Sequence, residues 1–167
     1  MEINYSDQKI IKNKKSIYLT GPVISDEKTP SWRREACKKL EELGFDGVVY
    51  VPEISTKEKE KTKEQENWES IVLLDTTIIC FWIPKETEEF SYTDSALDFG
   101  YWLSSRKVLY GTNAETKKTR YLDWLYRLDY KRGPVNNLED LLKQAIETVE
   151  LLSQSECKDL RKIKRIK

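Results

Sequence analysis

Thr77 to Gly111 reads TIICFWIPKETEEFSYTDSALDFGYWLSSRKVLYG, and its two ends decide the fold. The opening TIICFWIP is almost continuously apolar and β-branched or aromatic, which marks a central strand covered on both faces. The closing KVLYG (Lys107–Gly111) is a second, shorter strand. Between them a helical pattern sets Asp94 and Asp98 one turn apart on one face. Carboxylates just past the end of a buried parallel strand stand where open α/β sheets bind their ligands.

The chain repeats this grammar in both directions. Upstream, SIYLT (Ser16–Thr20) is a strand stopped by Gly21-Pro22. SWRREACKKLEELG follows as a helix, with Ser31 as N-cap, Gly44 as terminator and Trp32, Ala36, Leu40 and Leu43 on the buried face. GVVYVP (Gly47–Pro52) is the next strand. ISTKEKEKTKEQ has no apolar stripe and reads as a solvated loop or exposed helical turn. WESIVLLD then turns amphipathic, packing Trp68, Ile71, Val72 and Leu74. Downstream, RYLDWLYRLDYK is a helix, and NLEDLLKQAIETVELLSQ is a last amphipathic one carrying Leu138, Leu141, Leu142, Ala145, Ile146, Val149 and Leu152 inward. Alternating strands and helices predict an α/β fold, a single domain built on a parallel sheet with helices on both faces. Four strands are clear, and a short fifth is expected near Val135. Residues 1–15 read as a flexible arm, 16–154 as the domain and 155–167 as a basic tail.

Composition narrows the chemistry. Lys+Arg and Asp+Glu balance at 29 each, so net charge gives no push toward nucleic acid or membrane. Six basic side chains in the last ten residues make a solvated tail. No apolar run approaches the roughly 20 residues needed to span a bilayer. The N-terminus has no secretory h-region, so a cytoplasmic protein is expected. Cys37, Cys80 and Cys157 lack metal-ligand spacing, and Cys37 and Cys80 read as reduced core residues. Histidine is absent, which removes Ser-His and Cys-His nucleophile pairs and leaves acid–base work to Asp, Glu, Tyr, Lys or Cys. The loop after Gly21 lacks G-x-G-x-x-G, and no P-loop pattern occurs, so a dinucleotide cofactor or a nucleotide triphosphatase is disfavoured.

What remains is acidic and aromatic: Tyr18, Trp68, Glu69, Trp82, Tyr92, Asp94 and Asp98. Aromatic faces suit a flat ligand such as a nucleobase. A carboxylate can accept hydrogen bonds from base edges or sugar hydroxyls, or attack an anomeric carbon. The plainer alternatives stay open: Asp94 as a helix cap, Asp98 as a solvated charge, Trp102 and Trp124 as core, Arg33 and Arg34 as surface charge or as phosphate contacts.

The runs SIYLTGP, SWRREACKKLEELGFDGVVYVPE, NWE, IICFWIP, LDFGYWLSSRKVLYG and KTRYLDWL, from about Ser16 to Leu128, resemble the nucleoside 2-deoxyribosyltransferase-like family. The resemblance implies a flavodoxin-like or Rossmann-like sheet of about five parallel strands. It also implies cleavage of the N-glycosidic bond of a 2′-deoxynucleoside, or of its 5′-monophosphate, with deoxyribose passed to another base or to water. The family's nucleophile is a glutamate in a pattern like E-h-G-Y/R-x-L. Here that pattern is Asp98-Phe99-Gly100-Tyr101-Trp102-Leu103, so Asp98 takes the nucleophile's position. Tyr18 matches the positioning tyrosine, Gly21 the loop beside the substrate, and Glu69 of the Trp68-Glu69 pair the acid that engages the base. Tyr92 aligns with a sugar-holding acid, with Asp94 two residues on; Trp82 and Arg33 complete the expected substrate contacts, Arg33 toward a phosphate. No metal or organic cofactor is implied, and a homodimer or higher homo-oligomer is.

Two departures stand out. Asp98 is one methylene shorter than glutamate, about 1.5 Å less reach. The basic C-terminus replaces the aromatic carboxylate with which some members complete a neighbour's site. A nucleoside- or nucleotide-binding protein without turnover therefore stands beside the enzyme as the second reading, and a scaffold with no small-molecule site as the third.

Overall fold

The computed structural model describes residues 1–22, 31–55, 63–84, 93–113 and 117–163; within these, the side chains of 63–66, 93–94, 117–118 and 155–163 are not described. Five strands, β1 (Glu2–Tyr5), β2 (Ser16–Thr20), β3 (Val48–Val51), β4 (Ile78–Ile83) and β5 (Val108–Thr112), form one sheet, and every pairing is parallel. Five helices accompany them among the described residues: α1 (Trp32–Glu42), α2 (Lys63–Asp75), α3 (Thr93–Leu103), α4 (Lys117–Tyr130) and α5 (Leu138–Ile163). The strand order is β1-β3-β2-β4-β5. After β2 the chain steps outward to β3, then returns past β2 to β4, so the direction of winding reverses between β2 and β4. The crevice beyond the carboxyl ends of those two strands is the usual ligand position in such sheets.

Strand residues alternate between two cores. Ile17, Leu19, Val49, Val51, Ile78, Cys80, Trp82 and Leu109 face α1 and α5. Tyr18, Val48, Tyr50, Ile79, Phe81, Ile83, Val108 and Tyr110 face α2, α3 and α4. All strand positions from Val48 to Val51, Ile78 to Ile83 and Val108 to Thr112 are buried, as a sheet covered on both sides requires.

The local signals around α1 act as the sequence predicts. The Ser31 side chain accepts the amide of Arg33 at 3.2 Å, and Gly44 follows the helix end with φ +78°. Cys37 and Cys80 are buried free thiols. Leu138, Leu141, Leu142, Ala145 and Val149 of α5 are buried.

Several expectations need correction. The fifth strand lies at the N-terminus and not at Val135, which makes a single bridge to Gly111. Residues 2–5 are no flexible arm: they pair with residues 48–51 of β3, whose outer edge would otherwise be unpaired. Asn4 and Ser6, both buried, anchor this strand through hydrogen bonds to the Lys9 carbonyl (3.0 Å) and the Glu53 carbonyl (2.9 Å). The backbone of α5 continues helical to Ile163, into the stretch read as a solvated tail. Ile71, Leu74 and Leu152, expected inside, are exposed, and so is Trp124, for which a core position was one of the readings. No helix among the described residues is long and apolar enough to cross a membrane.

Candidate functional site

The sheet's aromatic face and the helices above it bring three sequence-predicted residues to one place. Tyr18 is on β2, two residues before its end. Glu69 is at the middle of α2, and Asp98 is in the second turn of α3. A groove of about 380 Å³ between these helices is lined by Glu69, Ser70, Leu73 and Leu74 from α2 and by Asp98, Tyr101 and Trp102 from α3. At its floor a void of about 10 Å³ reaches down from Asp98 and Phe99 to Thr20, Ile79, Phe81 and Val108. Asp98 therefore sits between open groove and sheet. It is fixed there by its neighbour Phe99, which is fully buried and meets Phe81 (4.9 Å between ring centroids) and Tyr110 (5.0 Å) edge-on.

Tyr18 feels both carboxylates. Burial pushes its phenol well above the ordinary tyrosine range; the negative charge of Glu69 pushes the same way, Arg33 opposes, and Asp98 adds to the rise. The hydroxyl is thus held neutral, a donor beside two acidic groups. Trp68 backs Tyr18 from α2, with ring centroids 6.4 Å apart, and meets Tyr50 edge-on at 6.0 Å. Only 4% of Trp68 is exposed, so it supports the tyrosine and presents no free face to a flat ligand. Its indole N–H is buried without a hydrogen-bond partner among the described residues.

Gly21 closes β2 at φ +134°, a conformation L side chains rarely adopt, and a Cβ there would collide with the carbonyl oxygen of Trp82. The close approach of these two backbones, at the carboxyl ends of β2 and β4, needs glycine. Arg33 fastens the same corner from below. It is 3% exposed, and its guanidinium donates to the Leu19 carbonyl (3.0 Å), the Gly21 carbonyl (2.7 Å) and the Glu53 carboxylate (3.1 Å). Ser31 also donates to Glu53. Burial pulls the guanidinium's pKa down, and Glu53 and Tyr18 counter it.

Two expected substrate contacts are accordingly placed elsewhere. Arg33 is not the surface charge or outward phosphate contact expected of it: it is buried, and it donates to the carbonyls of Leu19 and Gly21 and to Glu53. Trp82 points into the α1–α5 core, since it follows Phe81 in the pleat and lies on the opposite side of the sheet from Tyr18. Tyr92 and the side chain of Asp94 fall outside the described residues. Arg34 is exposed. The sequence reading missed Tyr101, Trp102, Ser70 and Leu73 as groove walls. The signal was present: Trp102 is one turn after Asp98 and Leu73 one turn after Glu69, so each shares its carboxylate's face. Among the described residues no group of three or more His, Cys, Asp or Glu could hold a metal ion.

A family model described as nucleoside 2-deoxyribosyltransferase like matches residues 14–115, from the start of β2 to just past β5. The chain belongs to the nucleoside 2-deoxyribosyltransferase-like family. The match includes the Asp98–Leu103 motif and stops short of KTRYLDWL. Among solved structures, a crystal structure of a conserved protein from Enterococcus faecalis V583 is similar at a TM-score of 0.52 and 14% identity, covering 79% of this chain and 97% of that one. At that identity the likeness concerns the fold. A search of curated proteins found no match.

Proposed function

We propose that this family member cleaves the N-glycosidic bond of a 2′-deoxynucleoside or its 5′-monophosphate with Asp98 as nucleophile. The observation that carries the reading is the shared groove: Asp98 and Glu69 line it together, over a buried neutral Tyr18 that senses both charges. In this reading an Asp98 carboxylate oxygen bonds to C1′ as the C1′–N bond breaks. The bonding pair leaves with the base, whose nitrogen takes up a proton. Water or the ring nitrogen of a second base then attacks C1′, loses its proton, and Asp98 departs as carboxylate. Glu69 engages the base, and Tyr18 holds the nucleophile or the sugar through its hydroxyl. Gly21, with Arg33 beneath it, keeps the β2 corner in place, and Tyr92 and Asp94 hold the sugar, as the family resemblance implies.

One observation favours the second reading, a nucleoside- or nucleotide-binding protein without turnover. Asp98 lacks one methylene of the family's glutamate, and a misplacement of about 1 Å can cost about a hundredfold in rate. Chromatography of free base separates the two. The protein is incubated with each deoxynucleoside and each 5′-monophosphate, with and without a second base. Free base without acceptor means hydrolysis, and an exchanged nucleoside means transfer. A ligand that stabilises the fold, by about 2.7 kcal/mol at 100 times Kd, but releases no base identifies a binder.

A further inference from the structure

We infer that the outer stripe of α4 binds a single strand of nucleic acid, with its cations on the phosphates and two exposed rings on the bases.

The whole chain balances its charges, but this helix does not. From Lys117 to Arg132 the sequence KKTRYLDWLYRLDYKR carries six basic side chains and two acidic ones. The helix sorts them. At about 100° per residue, Arg120, Trp124, Arg127 and Lys131 fall on one line along α4, with Tyr121 and Leu128 along its edge. All six are exposed. Lys131 keeps the helical register at the carboxyl end, since its amide donates to the Arg127 carbonyl at 3.0 Å. Both carboxylates of α4 lie off the line and are partly buried. Asp129 is on the far side of the helix, paired with Arg106 at 2.9 Å. Asp123 stands one turn before Arg127 and borders the line.

The cations of the stripe are available. Among the described residues no carboxylate pairs with Arg120, Arg127, Lys131 or Arg132. Arg127 is braced by the backbone of Gly133, where an added Cβ would come within 2.8 Å of its guanidinium carbon. Lys131 gives one ammonium proton to the Leu128 carbonyl at 2.8 Å and keeps the others. Arg132 continues the stripe past the helix end, its guanidinium 5.9 Å from the ring centroids of Tyr126 and of Tyr130. A rise of about 1.5 Å per residue sets Arg120 and Lys131 about 16 Å apart, with both rings between them. Tyr121 and Trp124 are stacked, centroids 5.8 Å apart, and 62% and 55% exposed. Cations that track a backbone, interleaved with rings that any base can stack on, are what a single strand needs. A duplex keeps its bases stacked on one another and has none to offer the rings. An acidic peptide would answer the cations and leave the rings without flat partners.

Fluorescence anisotropy with labelled mixed-sequence oligonucleotides tests this, using single-stranded DNA, single-stranded RNA and a DNA duplex over a series of salt concentrations. Three variants accompany the wild type: Tyr121→Ala with Trp124→Ala, Arg120→Ala with Arg127→Ala, and Lys38→Ala with Lys143→Ala, which removes the same charge from exposed positions on α1 and α5. Circular dichroism of each verifies the fold. The wild type should bind a single strand more tightly than the duplex, and the DNA and RNA arms tell which strand it holds. Log affinity should fall with log salt at a slope of about −3, some −0.7 for each of four phosphate contacts. Loss of the rings should weaken binding by about 5–150-fold per ring. Loss of the two arginines should flatten the slope by about 1.4, and the α1–α5 control should change neither. A wild type that binds neither strand, as when a protein partner covers the stripe, overturns the inference. So does a duplex bound equally well, binding that ignores loss of the rings, or a control as weak as the arginine variant.

Discussion

The two faces of the sheet are built from different material. Toward α1 and α5 the core is mostly aliphatic: Ile17, Leu19, Val49, Val51 and Ile78 meet Leu40, Leu141, Leu142, Ala145 and Val149. Toward α2, α3 and α4 it is aromatic: Tyr18, Tyr50, Trp68, Phe81, Phe99, Tyr110 and Tyr126 interlock edge-on or tilted. Branched aliphatic side chains fill space evenly and leave no polar atoms to satisfy. Rings bring hydroxyls and an indole N–H into the core and set the helices where side chains of α2 and α3 border a groove. The helices of this face also expose large apolar side chains, Leu97, Tyr101, Tyr121 and Trp124 among them, whereas every large apolar residue of α1 is buried or partly so. One face serves as scaffold, and the other holds the candidate chemistry.

Truncating one core residue on each side should separate the two faces most sharply. Phe99→Ala and Leu141→Ala both remove fully buried side chains. Urea unfolding should show losses of about 3–5 kcal/mol for the first and about 2–5 kcal/mol for the second. Only Phe99→Ala should also weaken nucleoside binding by the folded protein, because only Phe99 seats Asp98. Equal binding loss in both variants would erase the distinction.

Arg33 is the exception on the scaffold side, a charge that reaches through to the site. Arg33→Met strips a partner from Glu53 and from the carbonyls of Leu19 and Gly21. Breaking a buried pair in this way costs about 3–5 kcal/mol. Arg33→Lys keeps the charge but not the fork, and should recover only part of that in the same unfolding assay.

Alkaline unfolding should distinguish the faces by onset. Burial pushes Cys37 from 9.0 up to about 12 and raises Cys80 in the same direction. On the aromatic face burial raises Tyr18 and Tyr126, and takes Tyr130 from 10.0 to about 12. These groups are acids held neutral in the fold. Their stabilisation is complete below the unfolded pKa and is lost as pH climbs toward the folded one. Stability should therefore start to fall near pH 9, and Cys37→Ala combined with Cys80→Ala should move that onset to about pH 10. An unmoved onset would remove the thiols from the account.

The smallest effect belongs to the α1 cap. Ser31→Ala should cost about 1 kcal/mol in thermal or urea unfolding and leave the aromatic face untouched.

Much of this division was written in the sequence. The apolar runs of β2 to β5 announce a doubly covered parallel sheet, and the α5 spacing announces its buried stripe. β1 could not be read because EINY is short and partly polar; pairing with β3 makes it a strand. Trp82 and Tyr18 looked equivalent at strand ends, since register, and with it the face each residue takes, is set by partners far away in the chain. Arg33 looked like surface charge because its acceptors are backbone carbonyls that no side-chain pattern reveals. Asp98 and Glu69 were found through the family motif, while the groove walls Tyr101, Trp102 and Leu73 needed the packing of α2 on α3.

The most direct test of the central claim, that the aromatic face acts through Asp98, is the rate of base release by wild type, Asp98→Ala and Asp98→Glu on one deoxynucleoside panel. We predict release by the wild type and a loss on the order of 10³–10⁶-fold in Asp98→Ala, the scale on which removal of a nucleophile acts, with its unfolding midpoint unchanged. Release that survives Asp98→Ala would contradict the account, and so would a wild type that releases nothing while Asp98→Glu gains activity, which would make this groove a binding site.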